Sequence, residues 1–201
     1  MNLPNKLTVL RIVLVLAMLV IAYVPIPGEF LHIATTMWIL NIIFIAASIT
    51  DKLDGSLARK NNQITDFGKF LDPIADKMLV LTAMLILVEK GLLPAWIPVI
   101  TLLREFMVSG YRMLSAGKEG KVIAANYWGK LKTVTQMTAI ILAFINIDNT
   151  NAYSAFLYSN MSGLALTINI LTTIAFTLAV IATVVSGYIY LKDGKDILKD
   201  M

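Results

Sequence analysis

Cysteine is absent from the 201 residues, and histidine occurs once, at His32. Disulfides, thiolate nucleophiles, thiolate metal sites and histidine clusters are therefore excluded. Any metal centre must be built from carboxylates, which favour hard ions such as Mg²⁺ or Mn²⁺. Charge is scarce as well: 15% of residues are charged, against roughly 25% in soluble domains. What fills the space is apolar, with 58% hydrophobic residues and a mean hydropathy of +0.76. That balance predicts an integral membrane protein. There are no internal repeats, low-complexity tracts or interdomain linkers, so a single domain over 1–201 is expected.

A hydrocarbon core about 30 Å thick needs roughly 17–25 apolar residues per helix. Six segments approach this, at about 7–25, 31–50, 71–89, 93–115, 130–147 and 161–190. The breaks are "PIPGE" at 25–29, the polar run 51–70, "EKGLLP" at 89–94, "AGKEGK" at 116–121 and "NIDNTN" at 146–151. Strands are not expected, because lipid forces backbone into helices or closed barrels and no two-residue alternation is present. Met1 precedes "NLPNKL", a turn with no cleavage site after the following span. It is read as a short interfacial lead-in to a retained helix.

Basic residues orient the chain. With both termini cytoplasmic, sixteen of the seventeen Lys and Arg fall on the inner side, and Lys90 alone falls outside. The expected fold is all-α: six transmembrane helices, both ends inside. Arg104 and Glu105 break the pattern by lying within the fourth span. A charge there costs about 2.5–3.5 kcal/mol on insertion scales and normally faces a cavity or a partner. The sixth segment is long enough to tilt or to project from the bilayer.

The polar run carries the chemistry: "DKLDGSLARKNNQITDFGKFLDPIAD". Asp51 and Asp54 are three apart and share one helical face, which Gly55 and Ala58 continue with almost no side chain. Gly68, Asp72 and Asp76 are spaced by four, again one stripe. Four converging acids repel and raise one another's pKa; a pair of divalent cations removes that penalty and clamps a diphosphate. Arg59 beside them suits a second phosphate contact. Blander readings exist for each half. Asp51 and Asp54 could end a solvated helix, and Asp72–Pro73 could start one, with Asp72 as N-cap and Pro73 in the first turn. Neither explains why Gly55, Ala58, Arg59 and Gly68 accompany the acids.

This stretch resembles the signature of the CDP-alcohol phosphotransferase family, D-x2-D-G-x2-A-R-x8-G-x3-D-x3-D, with all eight positions and every spacing intact. The six-helix plan of that family fits the whole chain. The resemblance implies transfer of a phosphatidyl group from CDP-diacylglycerol to an alcohol with release of CMP, supported by two Mg²⁺ or Mn²⁺ ions. It implies Asp51, Asp54, Asp72 and Asp76 as carboxylate ligands of those ions, and Asp76 also as the base for the acceptor hydroxyl. Gly55, Ala58, Arg59 and Gly68 would form the pocket for the cytidine diphosphate moiety. A homodimer is implied as well; no nucleic-acid partner is expected.

The motif does not choose the acceptor. "NLPNKLTVLRI" at 2–12, "LREFMVSGYR" at 103–112 and "GKLKTVTQM" at 129–137 resemble the corresponding parts of bacterial family members that make phosphatidylglycerol phosphate. That implies glycerol 3-phosphate as acceptor, at the cytoplasmic side of a bacterial cell membrane. Independently, Arg104 and Arg112 lie two helical turns apart, and Lys130 begins the next helix on the same membrane side. Such a cluster suits a phosphate dianion, or else serves topology and lipid headgroups. Ser109 adds a hydroxyl, or bonds its own backbone. Asn5 and Thr8 either reach the nucleotide or cap the first helix, and Thr133 and Gln136 either line a polar cavity or pair helices. Within the family, inositol phosphate or serine are alternative acceptors. From another class, acids at a membrane boundary would serve a cation transporter.

Overall fold

The computed structural model describes residues 3–60, 66–117, 127–147 and 150–193, with side chains at 5–51, 68, 71–111, 127–147 and 150–192. Six helices account for most of it: α1 (Leu3–Tyr23), α2 (Thr35–Lys60), α3 (Asp66–Glu89), α4 (Trp96–Gly117), α5 (Tyr127–Phe144) and α6 (Gly163–Asp193). A short 3₁₀ turn covers Ala155–Leu157.

Three expectations are corrected. α1 runs unbroken from Leu3, so the stretch from Leu3 to Leu7 is helix rather than a turn, and Asn5 sits inside the helix rather than at its cap. Pro4 is tolerated there because first-turn amides have no partner to lose. α3 starts at Asp66 and carries Pro73 in its interior, so Asp72–Pro73 is not a helix start. A two-residue antiparallel pair, β1 (Glu29–Phe30) and β2 (Ile33–Ala34), forms where no strand was expected. Leu31 and His32 turn between them, both with left-handed φ, the geometry of a tight hairpin. α2 continues beyond the apolar segment to Lys60, as the shared helical face of Asp51 and Asp54 requires.

The helices alternate in direction. At one end, Lys90 Nζ donates to the Ala22 carbonyl at 3.3 Å, and the Ala152 amide donates to Leu92 O at 2.8 Å. These bonds tie the α1–α2, α3–α4 and α5–α6 connections together. Asn169 clamps the last of them, accepting from the Phe156 amide and donating to Asn151 O, while Trp96 and Tyr153 meet edge to face. The other end gathers the N-termini of α1, α3 and α5 with the C-terminal parts of α2, α4 and α6.

Between the ends, packing is by small residues and aromatics. Ala139 and Ala143 on α5 and Ala175, Ala179 and Ala182 on α6 are buried, one small side chain per turn, which lets two helix backbones approach closely. Phe44 and Phe144 fill the centre between α2 and α5, ring centroids 6.3 Å apart. Outward, α6 presents Leu171, Ile174, Leu178, Ile181 and Val184, all exposed, and α1 presents Leu10, Val13, Leu16 and Val20. Stripes of this size in water would be association sites. Among the described residues, α1 from Asn5 and α6 to Lys192 are long and apolar enough to cross a bilayer.

Candidate active site at the α3–α4–α5 cavity

The site grows from two adjoining sets of polar side chains, one on α1–α3 and one on α3–α6. In the first, Asn5, Thr8 and Arg11 form a buried polar stripe along α1, one residue per turn. Thr8 Oγ1 donates to Asp72 Oδ1 at 2.5 Å, and the fully buried Arg11 pairs with Asp51 Oδ1 at 2.9 Å. A guanidinium in the interior needs a compensating charge, and Asp51, whose side chain is 35% exposed, supplies one. α1 therefore fixes one carboxylate on α2 and one on α3.

In the second set, a cavity of about 830 Å³ opens between α3, α4, α5 and α6. Asp76 and Lys77 from α3, Arg104, Glu105 and Ser109 from α4, Lys130, Lys132 and Thr133 from α5 and Tyr190 from α6 supply its polar wall. Apolar groups such as Ile74, Met78, Leu102 and Phe106 supply the rest. Arg104 is held from three directions. Its Nη1 contacts Glu105 Oε1 at 2.9 Å, its Nη2 donates to Ser186 Oγ at 2.5 Å, and its guanidinium lies over the Tyr190 ring at 5.6 Å. It threads between two glycines, where a Cβ at Gly187 would meet Arg104 Cγ at 3.4 Å and one at Gly129 would meet Nη2 at 3.6 Å. Lys132 Nζ donates to the same Glu105 Oε1 at 2.6 Å, and Lys77 donates to Ser109 Oγ with Glu105 Oε2 4.0 Å away.

Several expected residues are thus brought together: Asp76, Arg104, Ser109 and Lys130 line one cavity, while Asp51 and Asp72 are joined through the α1 stripe. Gly68 is buried on the Asp72–Asp76 helix. Gln136 is buried and donates to Thr101 Oγ1 and Met84 Sδ, so it pairs helices, whereas Thr133 lines the cavity and bonds its own backbone at Gly129 O. The side chains of Asp54, Gly55, Ala58, Arg59 and Arg112 lie outside the described residues. Arg11, Lys77 and Lys132 carry roles that charge counting had assigned to topology. Burial of Arg11 was legible as the third member of the Asn5–Thr8 spacing; the pairing of Lys132 with Glu105 had no sequence signal beyond an acid inside a span.

Among the described residues, no three acidic or histidine side chains gather closely enough to hold a metal ion. The donor chemistry still suits a hard divalent ion, because Asp51, Asp72 and Asp76 offer only carboxylate oxygens.

Carboxylates and cations on facing helices, opening into an apolar-walled cavity, define a helical protein equipped to hold a phosphorylated and partly lipid-soluble molecule. The chain belongs to the CDP-alcohol phosphatidyltransferase family, whose model matches residues 1–185. It is 40% identical to the CDP-diacylglycerol–glycerol-3-phosphate 3-phosphatidyltransferase of Bacillus subtilis (strain 168), over 98% of this chain and 97% of that protein. The enzyme of the same name from Rickettsia bellii is 34% identical over 96% of each chain. That of Haemophilus influenzae is 40% identical over 69% of this chain and 73% of its own.

Proposed function

We propose that this protein transfers the phosphatidyl group of CDP-diacylglycerol to glycerol 3-phosphate, yielding phosphatidylglycerol phosphate and CMP. It does so at the inner face of a bacterial cytoplasmic membrane, which its six helices cross with both termini inside. The observation that carries the reading is the cavity wall, where Asp76 of the eight-position motif meets Arg104, Lys130 and Lys132. The names and near full-length coverage of the relatives support the same acceptor.

In this reading, Arg104, Arg112 and Lys130 receive the acceptor's phosphate, with Ser109 beside them, and direct its hydroxyl toward Asp76. Asp76 takes the hydroxyl proton as the oxygen attacks the β-phosphorus of CDP-diacylglycerol and CMP leaves. General-base assistance of this kind contributes typically 10²–10⁴-fold. Asp51, Asp54, Asp72 and Asp76 would hold two Mg²⁺ or Mn²⁺ ions, whose chemistry is to neutralise diphosphate charge. Gly55, Ala58, Arg59 and Gly68 would form the cytidine diphosphate pocket, with Asn5 and Thr8 at its edge; Thr8, through its bond to Asp72, also sets that carboxylate. The donor's acyl chains stay in lipid, and the working form is a homodimer.

The test incubates purified protein in lipid with CDP-diacylglycerol, Mg²⁺ or Mn²⁺ and a panel of alcohols, and measures CMP and lipid product. Glycerol 3-phosphate gives both products, and EDTA stops the reaction until Mg²⁺ or Mn²⁺ is restored. Product from inositol phosphate or serine instead would change the acceptor and keep the family chemistry. No CMP with any acceptor, together with cation uptake by proteoliposomes, would replace the enzyme with a transporter.

A further inference from the structure

Glu105 is out of place in an anion site. Its carboxylate stands in the cavity wall that, on the proposed function, receives a phosphate dianion, and like charges there oppose binding. What it does is visible in its contacts. Two cations from different helices, Arg104 on α4 and Lys132 on α5, converge within 2.9 Å of a single oxygen, Glu105 Oε1. Without an anion between them, two buried positive charges at that spacing would repel and separate. Both are well withdrawn from solvent, Arg104 at 9% and Lys132 at 7% exposure.

The two cations keep capacity for a ligand. Among the described residues Arg104 Nε is buried with no hydrogen-bond partner, and leaving such a donor unpaired costs about 1–3 kcal/mol. An ammonium has three donors, and among the described residues Lys132 spends its hydrogen bonding on Glu105 alone. Lys130, by contrast, is exposed. Among the described residues, the cavity's four cations, Lys77, Arg104, Lys130 and Lys132, face two carboxylates, Asp76 and Glu105. The surplus of two positive charges matches a phosphate monoester and has nothing to match in a neutral alcohol.

We propose that Glu105 is a positioning residue that holds the Arg104 guanidinium and the Lys132 ammonium together as the receptor for the acceptor's phosphate, so that the site takes phosphorylated alcohols and rejects neutral ones. The inference rests on the proposed function for the identity of the acceptor, but its geometry calls only for a phosphate monoester. Glu105 acts through the two cations, and Lys132 joins Arg104 as a direct phosphate contact.

The test separates binding from turnover. Calorimetric titration of the full-length protein in lipid nanodiscs, without CDP-diacylglycerol, measures affinity for glycerol 3-phosphate and for glycerol. The wild type binds the first and not the second. Glu105→Gln and Lys132→Gln each weaken glycerol 3-phosphate binding at least tenfold. The double variant is within about threefold of the worse single one, because the two residues act as a unit. Glu105→Asp recovers part of the loss. In assays the KM for glycerol 3-phosphate rises while that for CDP-diacylglycerol stays within twofold. Unchanged or tighter binding by Glu105→Gln overturns the proposal, as does a parallel rise in both KM values. Should Glu105→Gln fail to fold, the same loss must appear in Lys132→Gln, and its absence there overturns the proposal. A wild type that fails to prefer glycerol 3-phosphate to glycerol also overturns it. A wild type that binds glycerol 3-phosphate as described but releases no CMP refutes the transferase reading and leaves the receptor intact.

Discussion

Asp76 and Arg104 occupy one cavity but fail differently when changed. On the proposed function, Asp76→Asn keeps the size and removes the proposed base, so turnover falls about 10²–10⁴-fold with no change in thermal unfolding; substantial remaining CMP release would remove Asp76 from that role. Arg104→Ala removes a contact made equally in ground and transition states, so the KM for glycerol 3-phosphate rises with little change in kcat. Arg104→Lys does not restore it, since a point charge cannot at once reach Ser186, lie over Tyr190 and meet Glu105 as a planar fork does. Of this site, Asp76 and Arg104 were legible because each is anomalous alone: one belongs to a spaced motif, the other is a charge inside an apolar span. Lys77 and Lys132 were not, because a lysine at an inner helix end is what topology already demands. Only a fold that brings α3, α4 and α5 together distinguishes them.

At the scale of elements, six helices were readable from runs of apolar residues, and their ends were not. Hydropathy drops at Asp51, but α2 continues to Lys60, because losing apolar character does not remove helical preference from "DKLDGSLARK". Pro73 was read as a possible start, yet the preceding turn from Asp66 forms without its amide. The β1–β2 hairpin was missed because two residues per strand are too few for any alternation. Small residues were the better guide to packing. Ala143 is fully buried on α5, which packs most extensively on α6. Ala143→Leu overpacks that seam and costs about 1–3 kcal/mol, visible as a lower unfolding midpoint in detergent. The KM for glycerol 3-phosphate stays unchanged in the protein that remains folded.

For the whole molecule, the missing cysteines make orientation measurable. Tyr127→Cys at the start of α5 and Tyr158→Cys in the opposite connection place single thiols at positions about 70% exposed. A membrane-impermeant thiol reagent labels only the second in right-side-out vesicles and only the first in inverted ones; labelling of both from one side would reject the six-span arrangement. In the proposed arrangement sixteen of the seventeen basic residues fall on the inner side; the exception, Lys90, caps the end of α1 through Ala22 O. The Glu105–Lys132 bond at 2.6 Å bears on biogenesis too. Synthesis runs from the N-terminus, so Arg104 and Glu105 emerge from the ribosome before Lys132 does. In the six-span arrangement α4 enters lipid poorly alone and settles when α5 arrives to join it. In that arrangement the charges proposed to form the phosphate receptor would also couple the membrane entry of α4 to that of α5.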